Sequence, residues 1–396
     1  MTAARVYLDH AATSPMSEVA REAWLTASGQ MGNPSSLHTS GRAARRIVEE
    51  SREAIAAALN ARPSSVIFTS GGTEADNLAI KGLYWASTAR GSSARVVSSA
   101  IEHHAVLDPL MWLEEHEGAD VRYLPVSSIG EVDPQVLETA LKTESAPVAL
   151  CSIMWANNEI GTIQPVALFA EMCREAGVPF HTDAVQALGQ VPIDINALGA
   201  TAVSLSSHKV GGPVGVGALV IDTTAEFVPI SHGGGQEREI RSGTLDAAGV
   251  ASFAAALCEA TRNLETRIAT LRSLQSELIH AITAAVPDAQ LNGPGLAQID
   301  KRLPANVHFT FPGCEGDALL MLLDASGIDC STGSACTAGI PEPSHVVLAL
   351  GAPDSAARGS LRFSLGSTST QADTDALIPA LQAAVARAAR AGAVSR

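Results

Sequence analysis

Short apolar runs alternating with amphipathic stretches of helical period constrain this chain more than any other feature. Residues 64–70 (SSVIFTS), 94–100 (ARVVSSA), 146–155 (APVALCSIMW), 178–184 (VPFHTDA), 200–207 (ATAVSLSS) and 215–222 (GVGALVID) are each bounded by turn residues, and stretches such as 164–177 (QPVALFAEMCREAG) separate most of them. Near-continuous apolar runs suit strands buried on both faces, so the pattern predicts an α/β fold with a mainly parallel sheet flanked by helices. A long helical stretch over about 247–286 follows, with Leu271, Leu274 and Leu278 at helical spacing. Strand-like segments at 305–311 and 359–366, a helix at 317–327 and an alanine-rich closing helix then predict a smaller α+β domain. The large domain is expected over 15–255, with 1–14 and 256–396 forming the small one.

At 396 residues and 46% apolar content the chain can bury a large core. A formal charge of -15 leaves no basic excess for phosphate backbones or anionic membranes, so generic nucleic-acid binding is disfavoured. No apolar run reaches the roughly 18 to 20 residues of a membrane span. The first residues lack a secretory pattern, and a soluble, cytoplasmic chain is expected. Six cysteines without a CxxC pair argue against a disulfide framework or a zinc site. Lysine is scarce, at positions 81, 142, 209 and 301, so amine chemistry has few candidates.

Several predicted strand ends carry unusual chemistry, and ligands of open α/β sheets bind beyond the carboxyl ends of the strands. Residues 66–82 (VIFTSGGTEADNLAIKG) read as strand, Gly-rich turn and a helix opening with Thr73 and Glu74. Such a turn suits a phosphate, or is an ordinary βα connection; it matches neither a Walker loop nor a dinucleotide fingerprint. Asp183 in HTDAVQ is an acid at a strand end or a helix cap. Lys209, before a Gly-Gly-Pro turn, is a surface lysine or, if buried at the same sheet end, a nucleophilic amine. A phosphate cradle, an acid for a pyridinium nitrogen and a lysine for an aldehyde together describe pyridoxal 5'-phosphate. His103 in IEHHAV can stack on such a ring or sit in a core, and Asn158 in WANNEIG can bond its hydroxyl or shape a turn.

The order of YLDHAAT (7–13), GNPSSLHTSGR (32–42), FTSGGTEADNLAIKG, EHHAVLD, NNEIGT, HTDAVQALG, SHKVGGPVGVGAL, HGGGQEREIRSGT (232–244), STGSACTAG (331–339) and LRFSLG (361–366) resembles the cysteine desulfurases of the IscS/NifS type. These belong to the class-V aminotransferases, fold-type I pyridoxal-phosphate enzymes. The resemblance implies that Lys209 carries the cofactor and Asp183 pairs with its ring nitrogen. It places Gln186 and Asn158 at the ring oxygen, His103 over the ring as a proton carrier, and Gly72, Thr73, Ser206 and His208 at the phosphate. Thr244 would reach the phosphate of a partner subunit, which implies a homodimer. Arg362 would clamp the substrate carboxylate, with Asn33 nearby.

In this reading the thiol of Cys336, among small residues in a loop at about 330–345, takes sulfur from L-cysteine as a persulfide and leaves L-alanine. The sulfur would pass to an iron–sulfur scaffold or another acceptor protein, for cluster assembly or for tRNA or cofactor thiolation. The chain holds no metal of its own, although Cys336 would be the ligand if a cluster formed during transfer. Cys330 is the rival thiol and is expected to end a strand and pack. A selenocysteine lyase, another cysteine lyase or an aminotransferase would share the cofactor residues, and the thiol in GSACTAG favours the desulfurase.

Overall fold

The computed structural model describes residues 5–89, 94–142, 148–333 and 343–394. In chain order the strands are β1 (Val6–Tyr7), β2 (Val66–Thr69), β3 (Arg95–Ser99), β4 (Asp120–Leu124), β5 (Val148–Ser152), β6 (Phe180–Asp183), β7 (Ala202–Ser206), β8 (Gly217–Ile221), β9 (Gln290–Leu291), β10 (Asn306–Thr310), β11 (Ile328–Asp329) and β12 (Ser360–Ser364). Seven of them form one sheet in the order β2-β8-β7-β6-β5-β3-β4, antiparallel only where β8 meets β2 and β7. The carboxyl ends of β2, β3, β5, β6 and β7 therefore share one edge of the sheet.

Successive residues of each strand feed opposite cores, because side chains alternate across a sheet. Phe68, Val97, Cys151 and Val203 join Ile55, Phe169 and Phe253 on one face. Their neighbours Ile67, Val96, Leu150 and Ala202 join Leu78, Leu83 and Leu110 on the other. This two-sided burial makes the strands read as unbroken apolar runs. Edge strand β4 escapes that reading: Asp120, Arg122 and Tyr123 are exposed, and Asp120 pairs with Arg95 at 2.7 Å.

The helical stretch over 247–286 is two helices, Ala247–Arg262 and Leu264–Ala285, broken where Asn263 leaves helical dihedrals (φ -122°, ψ 35°). The first packs Phe253 and Leu257 into the core of the large sheet. The second packs Leu271, Leu278 and Ile282 with Leu8, Phe309, Phe363 and Leu377 around the three-stranded sheet β12-β10-β9. A further pair, β1 with β11, brings the chain's beginning beside Cys330. Between the two cores, fully buried Arg302 donates to the carbonyls of Pro294 at 2.7 Å and Ile160 at 2.9 Å, and to that of Asn292. That latch fixes the 157–160 turn against the smaller sheet.

Candidate active site

The shared sheet edge opens into a cavity of about 370 Å³, and the strand ends supply most of its wall. Gly72 and Thr73 follow β2, His103 follows β3, Asn158 follows β5, Asp183 ends β6 with Gln186 beyond it, and Ser206, His208 and Lys209 follow β7. Arg362 reaches the same cavity from β12. Ten positions picked from separate stretches of sequence thus line one space.

Gly72 opens the helix Gly72–Ala89, whose first amides have no acceptor inside their own helix and whose dipole favours an anion. A Cβ at Gly72 would lie 2.8 Å from Val185 Cγ2, so only glycine leaves the wall clear here. Glu74 secures the turn by accepting from the Ser70 amide at 2.6 Å and from Arg241 Nε at 2.8 Å.

Lys209 rests its Nζ on the carbonyl oxygens of Ala11 at 2.6 Å and Ala12 at 2.8 Å. Burial, and then the charge of Arg362, lower its pKa to about 8, so a substantial neutral fraction exists near physiological pH. Gln186 Nε2 also donates to the Ala11 carbonyl, at 2.9 Å. These backbone acceptors could not be read from side-chain chemistry, since alanine advertises nothing.

Asp183 is buried and accepts from the Val185 amide through Oδ1 at 2.8 Å. Burial first, and the nearby Asp76 second, push its pKa up to about 7. Asp76 lies one helical turn beyond Thr73 and also faces the cavity. Both of its oxygens are buried without a hydrogen bond, His181 Nε2 stands 3.5 Å away, and burial raises its pKa to about 7. Glu102, buried outside the cavity wall, has its pKa raised to about 8 by burial and, to a lesser degree, by the charges of Asp183 and Asp76. Asp76 is a site residue the sequence reading missed; its spacing three residues after Thr73 was the available signal.

His103 caps the helix His104–Glu117, its Nδ1 accepting from the Ala105 amide at 3.0 Å. Nε2 is therefore the protonated nitrogen of the neutral ring. Burial and then the Lys209 charge lower its pKa to about 4, so the ring is neutral at pH 7. Arg362 donates through Nη2 to Asp9 Oδ1 at 2.8 Å and through Nη1 to the Asn158 carbonyl at 3.0 Å. Its Nε is buried and unpartnered.

Two expected residues stand apart from the cavity wall. Asn33 is exposed and turns its Oδ1 to the Ser35 amide at 2.9 Å, and Thr244 is exposed near the end of the 232–244 segment. Cys336 lies outside the described residues. Its rival Cys330 follows β11, is buried, and has its thiol pushed up to about 12 by burial, which suits packing rather than nucleophilic attack.

A buried amine, a carboxyl at a neighbouring strand end and a helix-start anion cradle around one cavity fit the aldehyde, ring nitrogen and phosphate of pyridoxal 5'-phosphate. The class-V aminotransferase family matches residues 6–377. The chain belongs to that family. An IscS-like cysteine desulfurase of Mycobacterium tuberculosis is 55% identical over 386 residues, 97% of each chain. The cysteine desulfurase IscS of Dictyoglomus turgidum is 42% identical over 378 residues, 95% of this chain and 93% of the relative. A solved NifS-like protein superposes with a TM-score of 0.87 at 32% identity, covering 97% of this chain and 100% of that one. A structure of SspA in complex with cysteine gives a TM-score of 0.77 at 32% identity over 91% of this chain and 98% of that one. Within the class-V aminotransferases, whose members use pyridoxal 5'-phosphate, this chain is one of the IscS-like cysteine desulfurases.

Proposed function

We propose that this cavity binds pyridoxal 5'-phosphate and desulfurates L-cysteine: the substrate and the Cys336 thiol give L-alanine and a persulfide on Cys336. The observation that carries the reading is Lys209, Asp183 and Gly72–Thr73 converging on one cavity from three separate strand ends. Lys209 would hold the aldehyde carbon, Asp183 the ring nitrogen, and Gly72, Thr73, Ser206 and His208 the phosphate. Asn158 and Gln186 would face the ring oxygen. When bound, the cofactor supplies an electron sink for the substrate's α-carbon.

The chain's own residues do the rest. Arg362, held in place by Asp9 and the Asn158 carbonyl, orients the substrate carboxylate. The Lys209 amine, whose pKa burial lowers to about 8, removes the α-proton from its neutral form. The Cys336 thiolate attacks the substrate sulfur, so an S–S bond forms as the Cβ–S bond breaks and the electron pair stays with carbon. His103, neutral and carrying its proton on Nε2, would exchange protons at that carbon.

The exposed position of Thr244, away from the cavity wall, supports a homodimer in which it reaches the phosphate of the partner's site. The exposed Met31 and Leu37 beside Asn33 support the same arrangement, because a second copy would cover them. The persulfide would then go to an acceptor protein serving iron–sulfur cluster assembly. No described helix is long and apolar enough to cross a membrane.

The test is alanine and sulfide release from L-cysteine, with a thiol reductant, by the parent and by Cys336→Ser. Equal yields of both products from the parent, with turnover lost but colour kept in the variant, are expected. An equally active variant would overturn the role of Cys336.

A further inference from the structure

Ser331 and Ser344 stand on either side of the segment that carries Cys336, and the chain at both ends meets one buried carboxyl. Glu159, next to Asn158 in the 157–160 turn, is 2% exposed. Ser344 Oγ donates to Glu159 Oε2 at 2.5 Å, and Ser344 is itself buried. The same hydroxyl accepts from the Val347 amide at 3.1 Å, capping the short helix that begins at His345. On the other side, Gly333 lies close to the same oxygen. A Cβ there would lie 3.1 Å from Glu159 Oε2 and 3.1 Å from His308 Nε2, and the φ of +89° already excludes most side chains.

His308 reinforces the junction. Its Nδ1 accepts from Asn292 Nδ2 at 3.0 Å, which leaves Nε2 as a buried donor with no partner, facing Gly333. Residues beside the clasp are tied to the catalytic groups as well. Ser331 pairs through its backbone with Arg362, and His345 Nε2 donates to the Glu102 carbonyl at 3.0 Å, one residue before His103.

We propose that Glu159 is a positioning residue that clasps the two ends of the Cys336 segment, through the Ser344 hydroxyl and the close approach of Gly333, and so sets where the thiol meets the substrate. This rests on the reading of Cys336 as the sulfur acceptor. A carboxyl kept in the interior for packing alone would have no reason to receive both ends of that segment.

Two measurements on the holoenzyme test it: the rate at which iodoacetamide alkylates Cys336, followed by mass spectrometry, and the single-turnover rate of persulfide formation. In Glu159→Ala the alkylation rate should change by about five-fold or more, the size expected for losing one buried hydrogen bond to a carboxylate. Persulfide formation should slow by about ten-fold while the visible cofactor band and KM for L-cysteine hold. Glu159→Gln, which keeps an acceptor for Ser344, should restore both rates. Ser344→Ala should behave like Glu159→Ala, and it decides the matter alone if Glu159→Ala fails to fold. Unchanged alkylation, or loss of cofactor and KM together without rescue by Gln, would overturn the clasp. Should the parent form no persulfide on Cys336, the functional reading fails, while the alkylation rates still decide the clasp.

Discussion

Ser331 and Arg362 exchange both backbone hydrogen bonds, Ser331 N–H to the Arg362 carbonyl at 3.1 Å and Arg362 N–H to the Ser331 carbonyl at 2.7 Å. Arg362 is also paired with His308 on the other side of β12. The residue proposed to grip the substrate and the entry to the segment bearing the thiol are therefore fixed in one register, and neither can shift without the other.

Arg362→Lys should raise KM for L-cysteine by about ten-fold or more with a smaller change in kcat, because lysine cannot donate as a planar fork. Asp9→Ala, which frees Nη2 but keeps the charge, should act in the same direction more weakly. Steady-state kinetics on both variants checks the order.

Lys209 should react with an amine-directed reagent in the cofactor-free protein with a midpoint near pH 8, since only the neutral amine is nucleophilic and burial has lowered its pKa to about 8. Arg362→Gln should move that midpoint upward by removing a positive neighbour. Peptide mapping of modified Lys209 across pH reads both; a midpoint near 10 in the parent would contradict the burial argument.

His103→Gln should lower kcat by about 10²- to 10⁴-fold while the visible cofactor band persists, as expected for loss of a proton carrier. Its pKa of about 4 means that the parent's activity should not fall through the ordinary histidine range on this residue's account. A pH–rate profile of parent and variant separates the two statements.

Asp76→Asn should stabilise the cofactor-free protein increasingly as pH rises from about 4 to 7. The folded pKa of about 7 lies above the ordinary 3.8, so the folded chain holds a proton that the unfolded chain releases earlier. Ionisation thus destabilises the parent through that window and by a constant amount above it. The difference in Tm between variant and parent, measured across pH, cancels the contributions of other groups; a flat difference would sink the idea.

Glu237→Ala should destabilise the chain by about 1.5–3 kcal/mol, because it takes the buried partner from the Arg52 guanidinium and leaves it only Glu49 and the Val66 carbonyl. Glu237 accepts from Arg52 at 2.7 and 2.8 Å and from the Phe68 amide at 2.7 Å, and so ties the 232–244 segment to β2. Urea unfolding of parent and variant measures it.

What the sequence determined by itself is the local pattern: apolar runs that require a two-sided sheet, and residue types such as Lys209, Asp183 and the Gly71–Gly72 turn standing just past strand ends. Alternation along a strand and the start of a helix are short-range properties, so they are visible in a one-dimensional string. The polar edge strand β4 and the break at Asn263 escaped because neither changes that short-range pattern enough. Only the tertiary structure decided what depends on contacts between distant residues. It parked the Lys209 amine on the Ala11 and Ala12 carbonyls, set Asp76 beside Asp183 so that two acids share one burial cost, and brought Gly333 and Ser344 onto Glu159. Backbone acceptors carry no residue signature, and a carboxyl's burial is a property of everything packed around it.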